Sequence, residues 1–159
     1  MNDNGFLKLA VDQAKKSVKE GGFPAGSVVV KDGDVLSVLA EGLSLGYKLN
    51  DPSEHSGTSA IRKACKIVGS SDLKGAVLYE SLESCNMCFS VAYWAGISKI
   101  VYACRKTPEM VKKLYYEGNT SNESINETNN RKIELVFIPD FEAEMLEVVK
   151  EWEKALDGK

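Results

Sequence analysis

At 159 residues the chain is long enough for one domain with a proper core and too short for two comfortable ones. Hydrophobic residues make up 43% and charged residues 27%, and the net charge of −3 gives no global attraction to nucleic acid. No apolar run approaches the roughly 18 residues of a membrane span, and Met1-Asn2-Asp3-Asn4 does not read as a signal peptide. The expected compartment is therefore the cytoplasm, which turns the four cysteines away from disulfides and towards metal or redox chemistry.

Leu7, Val11, Ala14 and Val18 fall on one face of an opening helix that Gly21-Gly22 ends. Pro24 to Gly26 reads as a turn into Ser27-Val28-Val29-Val30, a β-branched run suited to a buried strand. Lys31-Asp32-Gly33-Asp34 predicts a hairpin turn, and Val35 to Ala40 the returning strand. Glu41 to Pro52 is rich in Gly, Ser and Asn and reads as irregular. Pro52-Ser53 then supplies a helix start, with Ile61, Ala64, Cys65 and Val68 as its apolar face. Ala76 to Tyr79 is a third strand. A further helix begins at Ser84 or Cys85 and ends at Gly96. Ile100 to Ala103 makes strand four, and Pro108 opens a short helix that ends near Tyr116.

Glu117 to Arg131 is polar, with Ile125 its only apolar residue, and predicts a long mobile loop able to cover a neighbouring pocket. Its three Asn-x-Ser/Thr triplets, at Asn119, Asn122 and Asn126, are read as loop composition. Ile133 to Ile138 is strand five. Met145, Val148, Trp152 and Leu156 mark an amphipathic closing helix. This order of elements predicts an α/β domain over residues 1–159, with a central five-stranded mixed sheet between two helical layers.

The chemistry concentrates at His55 and, thirty residues on, at Cys85 and Cys88. One imidazole and two thiolates make three of the four ligands of a tetrahedral zinc and leave one position for water. Residues three apart on a helix share a face, so both sulfurs can meet one ion, and a helix start favours the thiolate form. Cys65 lies ten residues along from His55, about 15 Å on a helix, and reads as core, as does Cys104 at a strand end. Two readings compete with zinc: a redox pair at Cys85 and Cys88, and a surface role for His55, the only histidine of the chain. Lys99, Arg105, Lys106, Lys112 and Lys113 form a local basic cluster, read either as a solvated patch or as a phosphate-contacting strip.

Asn50-Asp51-Pro52-Ser53-Glu54-His55-Ser56-Gly57 followed by Ala60-Ile61-Arg62, and Leu82-Glu83-Ser84-Cys85-Asn86-Met87-Cys88, resemble the motifs of the cytidine and deoxycytidylate deaminase superfamily. Within it the likeness is to the purine branch of guanine deaminases and bacterial tRNA adenosine deaminases, and it covers most of residues 5 to 105. The resemblance implies the three-layer fold, zinc on His55, Cys85 and Cys88, a homodimer, and a small nucleobase or nucleoside as substrate. Transfer RNA is less favoured. It also implies substrate contacts at Ser44, Phe23, Asn50 and Trp94, and Glu83 as a residue that orients the metal ligands or caps backbone.

The superfamily signature is H-x-E followed by P-C-x-x-C, in which the glutamate moves protons. Here Gly57 stands at the glutamate's position, Ser84 and Asn86 stand beside the cysteines where the branch has proline, and Ser44 stands where it usually has asparagine. Glycine supplies neither proton nor acceptor, and a positioned acid/base is worth about 10²–10⁴-fold in rate. Glu54, one position before His55, is a candidate substitute acid. Two functions remain open: a hydrolytic deaminase of a purine-like base such as guanine, and a catalytically silent zinc protein that binds a base or a partner subunit.

Overall fold

The computed structural model describes residues 2–31 and 38–158. Asn2 caps α1 (Asp3–Lys19) by accepting a hydrogen bond from Gly5 N, and Phe6, Leu7, Ala10, Val11 and Ala14 form its buried stripe. The chain continues through β1 (Phe23–Val30), β2 (Val38–Ser44), α2 (Gly46–Leu49), α3 (Ser56–Val68), β3 (Val77–Glu80) and α4 (Asn86–Trp94). It closes with β4 (Lys99–Tyr102), α5 (Pro108–Lys112), α6 (Asn122–Thr128), β5 (Glu134–Phe137), a 3-10 turn at Pro139–Phe141, and α7 (Glu142–Asp157).

The five strands lie in the order β2-β1-β3-β4-β5. β1 is antiparallel to both its neighbours, whereas β3, β4 and β5 run parallel. Strand periodicity divides the core in two. Val28, Val30, Tyr79 and Val101 face one side, where α1 packs with Met145 and Val149 of α7. Val29, Leu78 and Ile100 face the other, against Ala60, Ile61 and Ala64 of α3 and Phe89 and Ala92 of α4. The predicted five-stranded mixed sheet between two helical layers is the observed architecture. Among the described residues no helix is long and apolar enough to cross a membrane.

Several boundaries differ from the sequence reading. β1 begins at Phe23, because a register shift between Phe23 and Gly26 lets the strand absorb Pro24 instead of turning at it. Gly26 is where α1 presses on this strand, since a Cβ there would meet Ala10 O and Ala14 N within about 2.5 Å. The predicted hairpin turn at Asp32 to Asp34 and the start of its returning strand lie outside the described residues. α3 starts at Ser56, four residues later than Pro52, with His55 at the N-cap in extended conformation. Its first turn lies so close to β2 that a Cβ on Gly42 would land on Ser56 O.

The expected mobile loop from Glu117 to Arg131 instead contains α6, opened by a hydrogen bond from Ser124 N to the Ser121 side chain. Asn122 is buried and donates from Nδ2 to Ser84 O at 2.8 Å, while Asn86 Nδ2 reaches Thr120 O and Asn122 Oδ1, both at 3.1 Å. These bonds fix the segment against the start of α4, so it is a brace and not a cover.

Candidate metal centre and its cavity

α3 and α4 both begin at the edge of the sheet where β3 ends, and each delivers its ligands from its cap. His55 is the N-cap of α3; Cys85 is the N-cap of α4, with Cys88 one turn in. The imidazole and the two sulfurs place one ligand atom each within 4.8 Å of one another. His55 Nδ1 stands 3.4 Å from Cys85 Sγ. Zn–N near 2.1 Å and Zn–S near 2.3 Å at a tetrahedral angle require about 3.5 Å between such atoms, so the donor set fits zinc.

Both sulfurs are free thiols, buried, and turned to the imidazole as well as to each other. A hydrogen bond with Cys88 and burial both push the Cys85 thiol up, and the same cluster raises His55 through its bond to Cys85. Crowding of this kind favours protons on the ligands until a divalent cation reverses the balance. Around the ligands, Cys88 N donates to Cys85 Sγ at 3.4 Å, and Thr58 Oγ1 lies 3.3 Å from Cys88 Sγ. The Glu117 carboxylate accepts from Asn86 N and Met87 N at 3.2 and 3.1 Å, complementing the positive end of α4. Neither Thr58 nor Glu117 was singled out from sequence, because nothing local marks a threonine one turn into a helix or an acid 29 residues beyond Cys88.

The metal triad lies on the wall of a cavity of about 590 Å³, within the usual range for small-molecule sites. Phe23, Ser44 and Asn50, which the resemblance offers as substrate contacts, line it. Phe23 packs edge-on against Tyr115 and Trp152, with ring centroids 5.3 and 5.1 Å apart, and all three rings line the same cavity. The sequence marks Trp152 only as part of an amphipathic face. Ser44 is held at the cavity edge by Ser17, whose Oγ accepts from Ser44 N at 3.2 Å. Asn50 adopts a left-handed conformation, φ 53°, at the end of α2, one that asparagine tolerates better than most residues.

Two expected site residues lie elsewhere. Trp94 is 81% exposed, stacked edge-on against Tyr93, and takes no part in lining the cavity. The cause is geometric: α4 points its N-terminus at the metal centre, and six residues of helix carry Trp94 about 9 Å beyond Cys88. Glu54 is turned to Arg62, whose Nη1 lies 2.7 Å from its Oε2, and it does not line the cavity. Glu83 does line it, but its carboxylate accepts from Lys106 N at 3.0 Å, which makes it a backbone cap.

Glu80 is an acid that the sequence places near the end of strand three without giving it a role. It closes β3, is 3% exposed, and lines the cavity beside Ser84, Cys85 and Cys88. Its Oε2 accepts a hydrogen bond from Ser84 Oγ. Burial pushes its carboxyl up to about 8, with the Cys85 and Glu83 charges adding to the shift. A Cβ built on Gly57 would stand 2.6 Å from Glu80 Oε1 and 3.3 Å from Cys88 Cβ.

The basic cluster is largely paired. Lys99 bonds Asp3 at 2.8 Å, Arg105 forks onto both oxygens of Glu142, and Lys113 joins Glu153 and Glu109. Lys106 donates to the carbonyls of Gly118 and Thr120.

A mixed sheet with a His-Cys-Cys triad at the caps of two adjacent helices defines a zinc-binding α/β domain of the nucleobase-deaminase class. The family model for the cytidine and deoxycytidylate deaminase zinc-binding region matches residues 1–104, and the chain belongs to that family. It is 44% identical over 108 residues to guanine deaminase of Bacillus subtilis (strain 168), a match covering 67% of each protein. The tRNA-specific adenosine deaminase of Aquifex aeolicus (strain VF5) is 32% identical over 103 residues, 65% of this chain and 66% of that one. The X-ray structure of guanine deaminase from Bacillus subtilis superposes with a TM-score of 0.66 at 34% identity, covering 97% of this chain and 95% of that one.

Proposed function

We propose that the protein hydrolyses the exocyclic amine of a small purine-like base such as guanine. The observation that carries this reading is the shared cavity, which places a zinc-fitting triad and a cluster of three aromatic rings around one space with room for a base. Bound at His55, Cys85 and Cys88, zinc would supply the Lewis acidity that makes water nucleophilic near neutral pH. The rings of Phe23, Tyr115 and Trp152 offer apolar faces to a planar heterocycle. Ser44 and Asn50 line the cavity with polar groups for its edge. The 44% identity to a guanine deaminase supports a free purine. The pairing of Lys99, Arg105 and Lys113 with acids leaves less positive charge for a tRNA backbone.

The same reading carries a homodimer, in which the exposed Trp94 would be covered, and residence in the cytoplasm. Light scattering on the purified chain reports the first. The function is tested by ammonia release from guanine, adenine, cytosine and related aminated rings, with zinc measured on the same samples. Release from a purine, near one zinc per chain, and loss of both in Cys85→Ala are expected. Silence on every ring from fully zinc-loaded protein would refute it.

A further inference from the structure

We propose that Glu80, at the end of β3, takes over the proton transfers that the H-x-E signature gives to residue 57, a role which rests on the deaminase reading. Three observations converge on it. First, the space a side chain at position 57 would enter already holds the Glu80 carboxylate, 2.6 Å from the Cβ that Gly57 lacks. Second, the chain departs from the deaminase signature at Ser84 as well as at Gly57, and the two departures meet at this one group. Ser84 stands where the signature has proline, and its Oγ donates to Glu80 Oε2. Third, the register of β3 puts Glu80 on the same face as Leu78, the face that α3 and α4 cover, so the carboxylate reaches the metal centre from the sheet and not from the helix.

The other nearby acids are committed. Glu54 is held by Arg62, Glu83 by Lys106 N, and Glu117 by the first amides of α4. Glu80 keeps one oxygen engaged by Ser84 and the other beside Gly57, in a residue that lines the cavity. Glycine at 57 fits the arrangement, because a Cβ there would crowd Glu80 Oε1 and a second carboxylate beside it would resist ionisation of both.

The chemistry balances without any further reagent. The oxygen of water bonds to the amine-bearing ring carbon, and the bond from that carbon to the exocyclic nitrogen breaks. One proton of the water ends on the adjacent ring nitrogen and the other on the departing nitrogen, giving a ring carbonyl and ammonia with no change of oxidation state. Glu80 accepts each proton in turn, passes it on, and ends as it began.

The test pairs kinetics with stability. On the ring that the wild-type chain deaminates best, Glu80→Gln should lower kcat/KM by at least about 100-fold while zinc stays near one per chain. The substitution keeps the shape of the side chain and its bond with Ser84, so loss by misfolding is checked by an unchanged melting temperature. Independently of turnover, Gly57→Glu should lower the melting temperature, and adding Glu80→Ala to it should recover most of that loss. Undiminished ammonia release in Glu80→Gln would overturn the assignment and leave the deaminase reading standing. So would a Gly57→Glu penalty that is the same with or without Glu80→Ala. A wild-type chain that binds zinc and releases no ammonia from any ring would overturn both.

Discussion

Thr58 shows how a single side chain can act on the metal centre without belonging to it. It lies one turn into α3, is buried, and sets its hydroxyl 3.3 Å from Cys88 Sγ. A hydroxyl donating to a thiolate stabilises its charge and fixes the direction in which the sulfur points. Thr58→Val keeps the volume and removes the donor. Zinc affinity, measured by competition with a chromophoric chelator, is expected to fall about tenfold, in the range seen when such supporting groups are lost. The metal-free protein should melt close to wild type. Equal zinc affinities in the two proteins would show that Cys88 needs no such partner. At this scale the ligands were legible and their supports were not. His55, Cys85 and Cys88 announce themselves because helix caps turn spacing into geometry. Thr58 and Glu117 reach the site from positions whose proximity only the tertiary fold creates. Glu80 offered a fainter signal, a carboxylate in phase with Leu78 on the core face of a buried strand, which period-two reasoning can find.

Helices and strands were legible in proportion to how much apolar surface they bury. α1, α3, α4 and α7 carry apolar faces, and the sequence places them to within a few residues. α2 is a single four-residue turn and α6 a short polar helix held by its Ser121 cap; neither leaves a periodic trace, so both read as irregular chain. The tie between α1 and the sheet was equally hidden. Asp3, in the first turn of α1, accepts from Tyr79 OH at 2.6 Å and from Lys99 Nζ at 2.8 Å, joining the helix to β3 and β4. Partial burial works to raise its pKa, but the bonds from Lys99 and Tyr79 outweigh it and hold the carboxyl below its ordinary 3.8. A carboxyl lowered in the fold contributes stability above its unfolded pKa, and that contribution is lost as pH falls through the folded value. Asp3→Asn should therefore melt below wild type at pH 7, by an amount equivalent to about 0.5–1 kcal/mol for a partly exposed pair. The two melting curves should converge as pH falls through the folded value, where the native carboxyl is itself protonated. A difference that persists undiminished in acid would assign the effect to packing.

At the scale of the whole molecule, the metal centre joins two helices on one face of a sheet whose other face is packed separately. His55 opens α3 and the two cysteines open α4, so a bound ion bridges chain segments thirty residues apart. The layer formed by α1 and α7 contributes none of the three ligands, and its core of Phe6, Leu7, Val11 and Met145 is fully enclosed. The α3–α4 layer also has its own apolar contacts, including Phe89, Ile97 and Ile100, each with almost no exposure. Zinc should thus add to a fold that already has two sufficient cores, unlike the smallest zinc domains, which unfold without their metal. Ligand linkage gives about 4 kcal/mol when free metal exceeds its Kd a thousandfold. For a chain of this length that corresponds to roughly 10 °C in melting temperature. Chelation is expected to lower the calorimetric Tm by that order while far-UV circular dichroism at 25 °C keeps its helical signal. Hydrogen exchange should quicken first at the starts of α3 and α4 and last in α1, because only the former lose a cross-link. Global loss of helix on chelation would mean that the sheet and its two cores cannot stand without the ion.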